Sequence, residues 1–520
     1  MRAGKFALSL TALTMIVAGT QAASVQAAAT LDNATCLGCH GTPGFAAPRA
    51  NGQMRPLFVS ADHLANSVHG QSLQCIDCHT AITEVPHKTV AKTRAEWDRA
   101  RLAINKNCGN CHAKAAQSYL ETYHGQVAAL GYGNVATCFD CHAGPAILRT
   151  TDPASSASAA NLLKTCRTCH QDAPAGFATF QSHATIDDFA HYPYEWIASK
   201  LVIAAVGSVV LFFWFHSALW FYREFRDRQQ GKPRPHVRTD ALPRGPGQHV
   251  ERWSAIWRWA HLVFAVSVIL LVMTGLPLLY PNAGWAPPLE RAMGGPDIAG
   301  ILHRVAAVIM VAVFAWHIVY VAIHIARNWA TFKVFGPYSL MPNLQDASDV
   351  VAMFKWFFGR RPRPVFDHWN YQQKVDYWAP FWGIAMLTAT GAMLWFTTIT
   401  ATNLPGWTFN VAAVAHGDEA LLAAVYLFTI HYFVNHWRPD KFPLDIAIFT
   451  GSMPLEEFRR EYAVEYTRLA ETGELRQYLV EAPSRPLTLG AKILGFGLVA
   501  VGLALLVMMA IGLSGHWMGG

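Results

Sequence analysis

Residues 63–79 read HLANSVHGQSLQCIDCH. The closing CIDCH has the spacing at which two thiols can add to the two vinyl groups of one porphyrin while the next residue, a histidine, reaches the iron. His79 would fill one axial position of that iron. His63 and His69 stand just upstream and offer a second. If this reading holds for the segments around it, porphyrin rather than apolar side chains fills the core of this half of the chain.

It does recur. The ten cysteines are Cys36/Cys39, Cys75/Cys78, Cys108/Cys111, Cys138/Cys141 and Cys166/Cys169, and each pair is followed at once by His40, His79, His112, His142 or His170. No cysteine is left for a disulfide. Structural zinc would need cysteine pairs converging in fours and gives no reason for a histidine after each pair. Five covalently attached haem c groups are therefore expected. The same domain holds six further histidines, His63, His69, His87, His124, His183 and His191, for five distal positions. SVHGQ before CIDCH and TYHGQ before CFDCH form a weak internal repeat, which marks His69 and His124 as ligands. His63 is either another ligand or the spare.

The N-terminus carries Arg2 and Lys5, then an apolar run and an Ala-rich end, the pattern of a secretory signal peptide over residues 1–29. Residues 30–195 are then an exported pentahaem domain. It is close to neutral, so the net charge of +7 of the whole chain is not a nucleic-acid-binding face. The positive excess lies between apolar stretches near 196–222, 256–280, 301–325, 378–399, 412–436 and 488–513, each long enough to cross a bilayer. The loops 222–255, 326–376 and 438–487 are rich in Lys and Arg, whereas 281–300 has Arg291 alone and 400–411 has none. That asymmetry puts the charged loops in the cytoplasm of a multi-pass inner-membrane protein. LEEFRREYAVEYTRLAETGELRQYLVEA, within 438–487, reads as a cytoplasmic or interfacial helix before the last span, 488–513.

Histidines inside membrane spans are costly unless partnered. His303 and His416 open their helices on the outer side, and His317 and His431 follow 14 and 15 residues later, close to four helical turns and therefore on the same faces. Two histidines per face at two depths would clamp two stacked b haems. His261 begins its helix from the cytoplasmic side.

WRWAHLVFAVSVILLVMTGLPLLY, ILHRVAAVIMVAVFAWH, MPNLQDASDVVAMFKWFFG, WNYQQKVDYW and HGDEALLAAVYLFTIHYF resemble the dihaem cytochrome b subunits of formate dehydrogenases and Ni-Fe hydrogenases, a cytochrome b561-like family, over roughly 250–440. The resemblance implies a four-helix dihaem b domain at 256–437, with the tether 196–222, the linker 223–255 and the last span outside it. It implies that His303 and His416 hold the outer haem and His261 and His431 the inner one, with His317 a rival to His261. It also implies a quinone pocket at an Asn-x-Gly-Gln-Lys turn, here Asn370-Tyr371-Gln372-Gln373-Lys374, so Asn370 and Lys374 are the expected quinone-site residues; Gln372 departs from the glycine. Arg304 could pair with a haem propionate. The N-terminal domain resembles multihaem cytochromes of the c3/c7 type, and the fused plan is similar to inner-membrane quinol dehydrogenases of metal-respiring bacteria.

The expected fold is thus all-α, a haem-packed domain joined to six spans. The expected function is quinol-linked electron transfer through two haem b and five haem c groups to a periplasmic c-type cytochrome or oxidoreductase. The alternative is a membrane subunit that delivers electrons from a periplasmic dehydrogenase or hydrogenase into quinone. A terminal reductase would need one c haem without a distal histidine, and a purely structural or sensory protein would leave five covalent haems without a purpose.

Overall fold

The computed structural model describes residues 31–48, 52–88, 91, 93–232, 248–439 and 441–518. The expected signal peptide lies outside them. The N-terminal domain is built from short helices: α1 Asn33–His40, α2 Ala61–Ala65, α3 Cys75–Cys78, α4 Arg94–Cys111, α5 Ala113–Leu120, α6 Tyr123–Ala129, α7 Cys138–Cys141 and α8 Leu162–Arg167. A two-stranded ribbon, β1 Ala46–Pro48 and β2 Met54–Pro56, lies beside α1. Every Cys-x-x-Cys-His run closes a helical turn. The amide of His79, His112, His142 and His170 donates to the carbonyl of the first cysteine of its own motif, at 2.9 to 3.0 Å. Among the described residues the apolar core clusters lie beyond residue 208, while this domain buries side chains such as Val127, Leu130 and Ala173.

The second half is a helical bundle. Its long helices are α9 Pro193–Gln229, α10 Ala255–Leu279, α12 Pro296–Arg327, α14 Tyr371–Trp395, α16 Trp407–Val425 and α21 Arg485–Met518, with the shorter α11 Ala286–Ala292, α13 Leu344–Phe357 and α15 Thr397–Asn403 between them. Five apolar helices are long enough to cross a membrane. Helix α14 with α15 makes a sixth if the pair, bent by 94°, is one span. Helix α10 packs along α12, α14 along α16, and α9 along α16.

Helix α16 continues into two π-helical segments, Tyr426–His431 and Phe433–Trp437. Their effect is rotational. Fifteen α-helical residues from His416 to His431 would overshoot four turns by ~60°. The wider i→i+5 turns rotate less per residue and bring His431 back beneath His416, a use of π-turns common at functional sites.

The segment expected as one helix before the last span is instead α18 Leu455–Glu461, α19 Ala463–Glu471, α20 Leu475–Tyr478 and strand β5 Leu479–Glu481, after α17 Ala447–Thr450 and β4 Ser452–Pro454. Tyr462, at φ −111° and ψ 50°, breaks it, and Gly473, at φ +75°, turns it. Strand β3, Gln248–Glu251, lies between β4 and β5. Around this sheet Val250, Phe458, Tyr462, Tyr466 and Leu469 form a core. Ion pairs join it to the bundle: Arg252–Glu465 at 2.9 Å, Arg438–Glu461 at 2.6 Å, and Lys441 to Asp445, Glu457 and Glu461.

The N-terminal domain sits on the opposite end of the bundle. The amide Nδ2 of Asn410 donates to the Gln181 carbonyl at 2.8 Å, and the Gly406 amide donates to Thr179 Oγ1 at 2.6 Å. Gly406 is required here, since a side chain would strike the backbone of Gly176 and Phe180.

Candidate haem-binding line

Six pairs of histidine rings face each other across similar gaps. Ring centroids are 6.1 Å apart for His40–His87, His69–His112 and His124–His170, and 6.4 Å for His142–His183. In the bundle they are 6.3 Å apart for His303–His416 and 6.5 Å for His261–His431. A metal–imidazole bond is ~2 Å, so two axial imidazoles on one iron hold their centroids ~6 Å apart. The residues fit the group. Among the described residues no cluster of three or more His, Cys, Asp or Glu could hold a lone metal ion.

Hydrogen bonds fix which ring nitrogen is left for the metal. The hydroxyl of Thr274 donates to the Leu270 carbonyl at 2.7 Å, so its oxygen accepts from His303 Nδ1 at 2.8 Å. Thr390 repeats this, donating to Met386 at 2.7 Å and accepting from His416 Nδ1 at 3.0 Å. Nε2 is left free to ligate in both rings. In the N-terminal domain His40 Nδ1 is 2.9 Å from the Leu57 carbonyl, and His183 Nδ1 is 3.0 Å from Ser118 Oγ. Burial holds His124, His142 and His183 below the ordinary histidine range, so each keeps its lone pair at neutral pH.

Each threonine precedes a glycine, and sequence reasoning missed both Thr-Gly steps although the dipeptide recurs in two spans. A Cβ on Gly391 would stand 3.1 Å from His416 Cε1, and one on Gly275 3.6 Å from His303 Cε1. Replacing Thr390 with valine should weaken b-haem retention by roughly 10- to 100-fold, the usual cost of losing a ligand's orienting partner. Haem content of the purified variant at graded detergent exposure measures it, and wild-type retention would refute the role.

The inner pair is built differently. His431 Nδ1 faces Asp376 Oδ2 at 3.3 Å. Asn435 Nδ2 lies 2.9 Å from the His431 carbonyl and 3.2 Å from both Asp376 Oδ2 and His431 Nδ1; an ionised carboxylate only accepts, so His431 Nδ1 is the donor to Asp376. Tyr426 also donates to Asp376, at 2.7 Å. His261 Nδ1 is buried without a partner among the described residues.

The structure places the other expected residues as follows. His317 does not face His431; its Nε2 is bonded to the Tyr377 hydroxyl at 3.0 Å and its ring packs on Trp257. Asn370 caps α14, its Oδ1 accepting from the Gln373 amide at 2.9 Å, and Lys374 is paired with Asp346 at 2.8 Å. Within this turn Gln372 Oε1, at the position that departs from the glycine, is buried with no partner among the described residues. His191 is held by Asp188 at 2.7 Å, and neither it nor His63 faces a motif histidine. Arg304 lies over the Trp395 ring, 5.6 Å from its centroid.

The motifs run in order. Cys36 neighbours Cys75, Cys78 neighbours Cys108 and Cys111, Cys108 neighbours Cys138, and Cys141 neighbours Cys166 and Cys169. The ten cysteines, all expected to bind haem, are nevertheless not placed alike. Cys36, Cys75, Cys108, Cys138 and Cys166, which open the motifs, are half-buried, as is Cys141, whereas Cys39, Cys78, Cys111 and Cys169 are exposed. Of the exposed four, Cys39 lies near the end of α1. It closes the motif at the outer end of the line, where no earlier motif packs over it, and its carbonyl accepts from the amides of Gly41 and Thr42 as α1 ends. The Cys39 thiol therefore lies at the surface, and a porphyrin attached there would present that edge to solvent. The fifth motif reaches the bundle: His170 packs on Phe177 at 5.5 Å, and Phe177 on Phe409 at 5.8 Å, two helical turns before His416 on α16.

A membrane bundle that pairs histidines at two depths is a b-type cytochrome architecture, and known proteins agree. Residues 176–337 match the family model of the prokaryotic cytochrome b561; the match begins before α9 and so takes in the helix expected to be only a tether. The chain is 25% identical over 197 residues to the cytochrome b556(fdo) subunit of formate dehydrogenase from Escherichia coli K12, covering 36% of this chain and 79% of that protein. It is 23% identical over 230 residues to the F420 non-reducing hydrogenase II cytochrome subunit of Methanosarcina mazei, covering 40% of this chain and 77% of that one. These similarities support a cytochrome b561-like membrane half with b haem and a role in membrane electron transfer.

Proposed function

We propose that this protein is an inner-membrane quinol dehydrogenase that moves electrons from the quinone pool, through two b haems and five c haems, to a soluble periplasmic redox partner. The observation that carries it is the succession of histidine pairs and motifs from His261–His431, through His303–His416 and the Phe409–Phe177 contact, to the fifth motif and on to the first. Bound there, porphyrin iron supplies one-electron redox chemistry. The protein fixes spacing, orientation and potential. The Lys and Arg excess of the segments around β3 supports a cytoplasmic position for that face and, with it, a periplasmic N-terminal domain.

The quinone headgroup is assigned to the start of α14, at the cytoplasmic end. Gln372 precedes Asp376 by one helical turn, and Asp376 touches the inner ligand His431. Tyr371 is bonded to Gln372 at 3.2 Å and to His216 of α9 at 2.5 Å. Stopped-flow reduction of the purified protein by menaquinol and ubiquinol analogues, following b and c haems separately, tests this reading; reduction of c haems that bypasses the b haems would overturn it. Within that assay Gln372→Leu should slow quinol-driven reduction at least tenfold and leave dithionite reduction intact. Asn370→Ala should cost ~1 kcal/mol of stability through the lost cap with the quinol rate much less affected. The reverse pattern would return the headgroup to Asn370.

The second reading, delivery of electrons into quinone from a periplasmic dehydrogenase or hydrogenase, is favoured by the names of the relatives. It would show as co-purification of a catalytic subunit.

A further inference from the structure

The two HG frames are copies in three dimensions. Gly70 lies against the Leu64 carbonyl and Gly125 against the Tyr119 carbonyl, so close that neither site admits a side chain. The hydroxyls of Ser67 and Thr122 donate to those same two carbonyls, each at 2.7 Å. His69 and His124, at matching positions, each face the histidine of the motif after next, His112 and His170. Matched residues are 55 apart in sequence, which sets His63 against Ser118.

In the second copy Ser118 orients His183, and His183 faces His142 of the fourth motif. The counterpart of that motif in the first copy is CIDCH. Among the described residues no histidine ring faces His79 at the spacing of the six pairs, and the first copy has no counterpart of His183. His79 is nevertheless firmly set, since Asn107 Nδ2 donates to the Cys78 carbonyl at 2.9 Å and to Thr80 Oγ1 at 3.1 Å, pinning both sides of it to α4. Cys78 and His79 are exposed, and so is His63.

We propose that the haem of Cys75 and Cys78 has His79 as its sole protein axial ligand and is a binding site for a small lone-pair ligand. His63 stands where Ser118 stands in the other copy, beside the distal face as a hydrogen-bonding neighbour rather than a ligand. The inference rests on the pentahaem reading above. The motif lies within the line, between the first and third motifs, so electrons arriving from the bundle reach it.

The test uses the full-length holoprotein, with carbon monoxide on the reduced form and cyanide on the oxidised form as probes. Haem is counted first by pyridine haemochrome, so failure of the pentahaem reading appears before any ligand is added. One carbon monoxide per five c haems, with a high-spin ferric signal of the same stoichiometry, is the expected result. The signal should vanish in Cys75→Ala/Cys78→Ala, and in His63→Ala it should keep its stoichiometry with faster release of cyanide. Five c haems that are all low-spin and inert to both probes would overturn the proposal, as would a high-spin haem that appears only on removing His63, which would make His63 the sixth ligand. Both overturning results are read on chains that retain all five haems, so misfolding of the cysteine variant cannot obscure them.

Discussion

Replacing His416 with alanine is expected to remove one of two b haems and to stop quinol-driven reduction of the c haems. His416 is one half of the pair nearest the N-terminal domain; its partner His303 comes from α12, and the two Thr-Gly steps of α10 and α14 shape both sides of the site. Alanine leaves a single ligand and a cavity. The inner pair, opposite along the bundle, is untouched, so quinol should still reduce one b haem per chain while the c haems stay oxidised until dithionite is added. Haemochrome counts combined with stopped-flow spectra read both halves of this result. His317→Ala is the contrasting variant: its ring is bonded to Tyr377 rather than facing a second imidazole, so both b haems and the transfer should survive. Normal c-haem reduction in His416→Ala would place the route elsewhere.

Asp376→Asn is expected to raise the potential of the inner b haem and leave the outer one unchanged. Both outer ligands donate to neutral hydroxyls, those of Thr274 and Thr390. His431 donates to a carboxylate that also accepts from Tyr426 and Asn435. A carboxylate on an axial imidazole makes the ligand more basic and favours the oxidised, more positive iron. On the proposed reading it would lower the inner potential and so favour electrons leaving towards the N-terminal domain. A hydrogen bond to a charged group contributes ~1.5–3 kcal/mol. If about half of that depends on oxidation state, the shift is of order 60 mV for one electron. Potentiometric titration of the two b haems measures it, and the variant should hold its inner haem more reduced in turnover. An unchanged inner potential, or an equal shift in both haems, would remove Asp376 from this role.

The Cys-x-x-Cys-His motifs were legible because the chemistry they suggest is local: two thiols and an imidazole on one helical turn. Their exposure was not, since whether a thiol such as Cys39 is covered depends on which motif packs beside it. The pairing of distal ligands is tertiary in the same way. His69 passes over the motif beside it to face His112, while His87 turns back to His40. Depth along a helix made His317 as attractive as His261, yet depth says nothing about which way a ring points, and Tyr377 holds His317 aside. The near-coincidence of His416 and His431 on one face was visible, but the π-turns that complete it were not. At the start of α14 the sequence drew attention to Asn370, whose capping bond is a local feature, while Gln372, a departure from the expected pattern, carries a buried acceptor that has no partner among the described residues. The break at Tyr462 and the strand at 479–481 followed from packing against β3, a partner more than 200 residues away.

One continuous haem line from the bundle to the first motif is tested most directly by a haem inventory. Acid-acetone extraction of the purified full-length protein, followed by pyridine haemochrome of the extract and the residue, should give two extractable protohaems and five thioether-linked haems per chain. A chain with no extractable protohaem, or with fewer than five linked haems, would contradict it.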